Sequence, residues 1–229
     1  MFTEDQKSLG LLLYDIGAFK DKRQSPDGHG FKLKLHEKNP EAPLSPMYLN
    51  LRTPDNPKPG PLTPEIIKSI AWELIRLGIC EQFQGDYVVG VPRAGDPIAK
   101  AISETQVFGR NAIALLRLEK EESDGRRSIA RLIGSDYEPG KIAIVVDDLV
   151  THADSKLEAI GVLKANGLIV KDILVVLDRD QGGKEELAKA GYRLHSLFTI
   201  DEFLFIGRTC ERLTAETFEE ISLYLAQNR

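Results

Sequence analysis

The stretch IAIVVDDLVTHADSKLEAI, Ile142 to Ile160, limits what this chain can fold into more than any other segment. It begins with a continuous apolar run, Ile142 to Val146, the pattern of a strand buried on both faces of a parallel sheet. Two adjacent carboxylates follow, Asp147 and Asp148, and then a short polar loop, Thr151 to Asp154. Ser155 opens a helical pattern, with Glu158 three residues on as its capping-box partner and Leu157, Ile160 and Leu163 facing inward. Strand, acidic pair, polar loop and helix start, in this order, form the arrangement in which open α/β sheets bind phosphorylated ligands at the carboxyl ends of their strands. An Asp-Asp pair can also be simply solvated, one acid capping a turn and the other facing water. The end of a fully apolar strand, where a crevice is expected, favours the ligand.

The rest of the chain repeats this rhythm. Thr3 and Gln6 form a capping box ahead of a helix carrying Leu9, Leu12, Leu13 and Ile16, which Gly17 stops. Phe31, Leu33 and Leu35 alternate with Lys32, Lys34 and His36 as a half-buried strand. Eight of the twelve prolines fall between Pro40 and Pro64, which rules out continuous helix or central strand there. That region reads as a loop, a short strand from Met47 to Leu51 and a linker. A helix then starts with Thr63 as N-cap and Pro64 at its first position, and Gly78 terminates it. Beyond it come strands at Tyr87–Val91, Ala112–Leu116, Asp172–Leu177 and His195–Thr199, with helices near Pro97–Ser103 and Lys184–Ala190 between them. Thr199 and Glu202 form another capping box, and a helix from Thr214 to Gln227 packs Phe218, Ile221 and Leu225. The expected architecture is α/β, an open parallel sheet with helices on both faces. Residues 1–62 would form an N-terminal helix and hood, and residues 63–229 the core, in one compact unit.

Bulk properties remove several classes of function. A formal charge of −5 and a pI near 5.5 lack the basic field of a general nucleic-acid binder. No apolar run is long enough to cross a membrane, and Met1 leads straight into a capped helix rather than a signal peptide. Cys80 and Cys210 make neither a disulfide framework nor a zinc spacing, so a cytoplasmic protein is expected.

Two further loops carry charge at a strand's carboxyl end. Gly90-Val91-Pro92-Arg93-Ala94-Gly95 precedes a helix, so its backbone N–H groups and Arg93 can hold an anion, although an ordinary βα turn looks the same. Leu177-Asp178-Arg179-Asp180-Gln181-Gly182-Gly183 offers the Arg179 guanidinium as a fork for a carboxylate or imide. The charged segment Arg117 to Arg131, with little apolar content, reads as a solvated loop whose position fits a mobile lid over a polyanion.

Together these pieces resemble the orotate phosphoribosyltransferases, a branch of the type I phosphoribosyltransferases, and in particular the transferase part of UMP synthase. IAIVVDDLVTHADS resembles the family's phosphoribosyl-diphosphate signature, and GVPRAGDPIAKAIS its pyrophosphate loop. LDRDQGG with GYRLHSLFT, and the segments FKLK and SPMYLNLR near the N-terminus, are similar to its remaining motifs. The resemblance implies transfer of a 5-phosphoribosyl group from 5-phosphoribosyl 1-diphosphate to orotate, with Mg²⁺ carried mainly by the substrate and no dedicated protein cage. It implies that Asp147 and Asp148 hold the ribose hydroxyls, while Thr151, His152, Ala153, Asp154 and Ser155 cradle the 5-phosphate. Arg93, Ala94 and Arg117 would meet the pyrophosphate, and Lys34, Thr151 and Arg179 the orotate. Lys120, Arg126 and Arg127 are the lid's candidates for a catalytic cation. A homodimer is implied, and an orotidine 5′-monophosphate decarboxylase is a further candidate partner.

The sequence departs from the family at two places. A gapless match through Arg117 and Gly125 puts Leu118, Glu119 and Glu122 where the family has an Arg-Lys pair and a second lysine; a shift of one residue brings Lys120 to the pair. The phosphate loop carries Ala153 and Asp154 in place of glycines and small hydroxylic residues, and Ala153 does not take positive φ cheaply. A non-catalytic relative that binds a ribose phosphate or nucleotide, and a transferase for another base, stay open on these departures and on the longer hood loop from Glu37 to Leu44.

Overall fold

Each apolar run of the second half forms a strand of one sheet, and the strands Tyr87–Gly90, Ile142–Val150 and Ile169–Asp178 end at the same edge in the charged turns that the sequence singles out. The computed structural model describes residues 2–33, 36, 39–106, 113–123, 126–134 and 136–228, with the side chains of 122, 123, 126–128 and 130 outside that description. The first helix, α1 (Glu4–Asp15), starts with the expected Thr3–Gln6 capping box. A two-stranded antiparallel hood follows, β1 (Phe19–Asp21) with β2 (Met47–Leu49). The next elements are α2 (Pro64–Cys80), β3 (Tyr87–Gly90), α3 (Gly95–Glu104), β4 (Ala114–Ser123) and β5 (Arg126–Ile133). The chain continues through β6 (Ile142–Val150), α4 (Asp154–Ala165), β7 (Ile169–Asp178), α5 (Gly183–Lys189), β8 (Arg193–Thr199), α6 (Ile200–Thr209) and α7 (Ala215–Gln227).

The main sheet has the order β5-β4-β3-β6-β7-β8, parallel throughout except for the β4–β5 pair. From β3 the chain moves to β4 on one side, then returns to β6 on the other. The carboxyl ends of β3 and β6 therefore flank the point where strand order reverses, the crevice in which open α/β sheets hold their ligands. Successive residues of β6 feed opposite cores. Ile144 and Val146 join α2, α3, α6 and the hood residues Met47, Leu49 and Leu51; Ala143 and Val145 join Ile160 and Leu163 of α4 and Leu187 of α5. Among the described residues no helix is long and apolar enough to cross a membrane.

Several expectations need correction. Gly78 does not end α2, which runs on to Cys80; its missing side chain instead admits the Phe83 ring, which would stand 2.9 Å from a Cβ. Among the described residues of Phe31–His36 no strand forms: Phe31 makes one isolated bridge to Ser45, and His36 is buried with Nδ1 accepting from the Leu33 N–H at 2.9 Å and Nε2 at 3.1 Å from the Ala42 carbonyl. Leu35 and the expected strand start at Ala112 lie outside the described residues. The charged segment from Arg117 is not a loop. It continues β4 and returns as β5, an antiparallel arm with Glu119 accepting from Arg131 at 2.6 Å. Alternating charges left no apolar period to read, and cross-strand pairing supplies the order instead.

Gly95 fixes how closely α3 approaches the crevice: a Cβ there would lie 2.2 Å from the Val146 carbonyl oxygen and 3.2 Å from the Asp147 Cα. Those are backbone atoms of a central strand, so they yield poorly. Gly95→Ala is expected to cost about 3 kcal/mol of stability, read from urea unfolding, through overpacking.

Candidate functional site

The alternation that splits the core also separates the two acids. Asp147 continues the row of Val145 toward α4, and there its Oδ2 meets Lys156 Nζ at 2.6 Å. Lys156 also donates to the Leu149 carbonyl at 2.6 Å, and both charged side chains are buried. Asp148 continues the row of Val146 toward the hood, where Arg52 acts on it. Burial first, and the Asp147 charge second, push the Asp148 carboxyl up to about 7. Lys156 is the site residue that sequence reasoning missed. It lies four residues before Ile160 and seven before Leu163, on the inward stripe of α4, and that spacing was the available signal.

The turn after β3 supplies the facing wall. Val91 N–H donates to the Val146 carbonyl at 2.8 Å, holding the turn against β6, and the Pro92–Arg93 peptide is cis. Arg93, Asp96, Leu118, Glu119 and Lys120 line a polar cleft of about 380 Å³, closed on the hood side by Thr53 and Asn56. A bulge between Glu119 and Lys120 interrupts the β4–β5 register beside this cleft. Burial, then Asp147, raises the Asp96 carboxyl to about 6, against the pull of Arg117, Lys120 and Arg93. Ala94, half-buried, precedes the first residue of α3.

The loop after β6 is held from α5. Gly183 N–H donates to the Thr151 carbonyl at 2.9 Å. Ala153 N–H donates to Glu186 Oε2 at 2.7 Å, and His152 Nδ1 lies 3.4 Å from Glu186 Oε1. Ala153 has φ −82°, so this loop conformation needs no positive φ there. The expected capping box is absent. Helix α4 starts at Asp154 without a side-chain cap, which leaves Ser155 inside the helix, and Glu158 accepts instead from the Ile129 N–H of β5 at 2.9 Å.

Arg179 stands at the end of β7, its N–H donating to the Val150 carbonyl at 3.0 Å. The guanidinium is buried, which lowers its pKa, and Nε and Nη2 have no partner; among the described residues only the Tyr224 hydroxyl shares that condition. Buried donors without partners are costly and mark a place where a ligand completes the bonding. The structure thus gathers Asp147, Asp148, Thr151, Arg93, Lys120 and Arg179 on the carboxyl ends of β3, β6 and β7 and on the β4–β5 arm. Arg117, exposed on β4, acts on the same Asp96. Lys34, Gly125 and the side chains of Glu122, Arg126 and Arg127 lie outside the described residues.

Fold and site define an α/β protein with charged side chains gathered at the switch point of a parallel sheet. Residues 58–209 match the phosphoribosyl transferase domain, and the chain belongs to that family. It is 31% identical over 222 residues to uridine 5′-monophosphate synthase of Bos taurus, covering 96% of this chain and 41% of that protein. The orotate phosphoribosyltransferase of Caenorhabditis elegans is 28% identical over 80% of this chain and 75% of its own length. UMP synthase of Leishmania donovani superposes with a TM-score of 0.74 at 26% identity, over 97% of this chain and 42% of that one. The chain thus spans about two fifths of the synthases it matches.

Two measurements test the electrostatics. Lys156→Met leaves Asp147 buried without its cation beside Asp148, and is expected to cost about 3–5 kcal/mol in chemical denaturation. Asp148 holds its proton to higher pH in the folded protein than in the unfolded chain, so the folded state binds more protons from about pH 4 to about 7. Stability therefore falls as pH rises through that window. Asp148→Asn removes the cost, and the variant is expected to gain on the order of 4 kcal/mol over the unmodified protein at pH 8.

Proposed function

We propose that the protein transfers the 5-phosphoribosyl group of 5-phosphoribosyl 1-diphosphate to orotate, giving orotidine 5′-monophosphate and pyrophosphate. The observation that carries this reading is the Arg179 guanidinium, buried at the switch-point edge with a two-donor fork unfilled. A planar, anionic base with a carboxylate and imide oxygens suits that fork. The names of the similar proteins, orotate phosphoribosyltransferase and uridine 5′-monophosphate synthase, support the same substrate.

In the reaction a ring nitrogen of orotate forms a bond to ribose C1 as the bond from C1 to the pyrophosphate oxygen breaks, and the proton that the nitrogen gives up passes to the departing pyrophosphate. Positive charge gathers on the ribose and negative charge on the leaving group, so catalysis is positioning, water exclusion and electrostatics. Asp147, paired with Lys156, and Asp148 accept hydrogen bonds from the ribose hydroxyls. Arg93, Lys120 and Arg117 face the pyrophosphate, and Thr151 and the residues after it face the 5-phosphate. Mg²⁺ would arrive as a cation carried by the diphosphate, beside Asp148 and Asp96, whose carboxyls burial and Asp147 raise. When bound, it neutralises the diphosphate and improves it as a leaving group. The reading extends to a cytoplasmic homodimer. It also includes a decarboxylase that consumes the product, since orotidine and uridine monophosphates differ by one carboxyl group.

Loss of orotate absorbance with 5-phosphoribosyl 1-diphosphate and Mg²⁺ tests the proposal. Turnover is expected, and the Asp147→Asn/Asp148→Asn double variant should abolish it. Arg179→Ala is expected to raise KM for orotate by about tenfold to a hundredfold, the worth of charge-assisted bonds to a buried carboxylate. An inactive unmodified protein sinks the reading.

A further inference from the structure

We propose that Glu186 is an internal anion that occupies the phosphate loop of the free protein and that an incoming phosphate must displace. The inference rests on the transferase reading, which makes the loop after β6 the phosphate site.

Ala153 is fully buried between exposed neighbours, so its amide has little access to water and needs a partner inside the protein. A ligand phosphate would be that partner in the complex; in the free protein Glu186 Oε2 takes the bond at 2.7 Å. The other oxygen, Oε1, lies 3.4 Å from His152 Nδ1, so the carboxylate bridges two consecutive residues of the loop. Those contacts hold the Glu186 carboxyl below the usual carboxylate range, the Ala153 N–H contributing most.

Glu186 is nevertheless free to leave. Its side chain is 41% exposed, and it sits on the short helix α5 beyond the Gly182–Gly183 pair. The loop does not depend on it alone for its shape, because Gly183 N–H independently ties the Thr151 carbonyl at 2.9 Å. A phosphate monoester carries more charge and more acceptor oxygens than a carboxylate, so it wins the same donors when present. Glu186 then sets affinity without touching the reacting atoms. It reduces the fraction of molecules whose loop is open, and apparent affinity scales with that fraction.

Calorimetric titration with 5-phosphoribosyl 1-diphosphate and Mg²⁺ tests this on the intact protein and on Glu186→Gln and Glu186→Ala. Both variants are expected to bind about threefold to tenfold more tightly, the tax of a loop filled in most free molecules. The glutamine keeps the size of the side chain and removes its charge, so a gain there is read without loss of packing. Weaker binding in the variants would make Glu186 a brace for the loop, and equal binding would mean that the ligand does not use the Ala153 amide; either removes the inference. Hydrogen exchange at that amide gives a second readout. It is expected to be faster in free Glu186→Ala than in the free unmodified protein, and equal in the two saturated complexes. A difference that persists at saturation means Glu186 stays in place, and overturns the idea. Failure of all three proteins to bind takes the transferase reading down as well, an outcome distinct from weaker or equal binding by variants of a protein that does bind.

Discussion

The ion pair between Asp147 and Lys156 is the contact on which the ligand-bearing edge depends. Two adjacent carboxylates at the end of a buried strand repel each other and have lost most of their water. One lysine from the following helix offsets this, because it reaches both the Asp147 carboxylate and the Leu149 carbonyl. In doing so it fixes the start of α4 against the end of β6 and so sets the path of the loop between them. That loop then positions α5 through the Thr151 carbonyl. Arg179, hydrogen-bonded to Val150, is set by the same strand end. A buried pair of this kind brings less net stability than its short distance suggests, since both ions are desolvated. Its contribution is geometric: it makes one arrangement of three loops the only well-compensated one.

The carboxyls of the site do not share one electrostatic environment. Asp148 and Asp96 are both raised toward neutrality by burial and by Asp147, although Arg93, Arg117 and Lys120 surround Asp96. Groups that donate hydrogen bonds to a carboxylate, or bring positive charge beside it, favour its ionised form, so these two carboxyls respond to whatever is placed next to them.

What could be read from the sequence was what local physics decides. The capping boxes at Thr3 and Thr199 formed as spaced, and the apolar run of β6 became the central strand. The acidic pair and the turns around Arg93 and Arg179 met at one edge because strand ends in a parallel sheet point the same way. Tertiary contacts decided the rest. Glu158 had the spacing of a cap for Ser155 but found the Ile129 amide. Gly78 had the composition of a helix stop but served the packing of Phe83. His36 alternated with apolar residues as if facing water, yet the Leu33 amide and the Ala42 carbonyl hold it inside. Lys156 was hidden for a plainer reason: a lysine on an inward stripe looks like a frayed boundary of that stripe until its carboxylate partner is seen.

The β4–β5 arm has a consequence for how such a protein meets its ligand. Leu118 and Ile129 are buried at its root, and Glu158 of α4 holds the Ile129 amide, so the ribbon is anchored before anything binds. A cover made of coil must be frozen at each encounter, at about 1 kcal/mol or more per residue. A paired ribbon has met that cost during folding, and its two strands share one anchored base. Contacts made by its inner side thus reach the ligand with less of their strength lost to ordering.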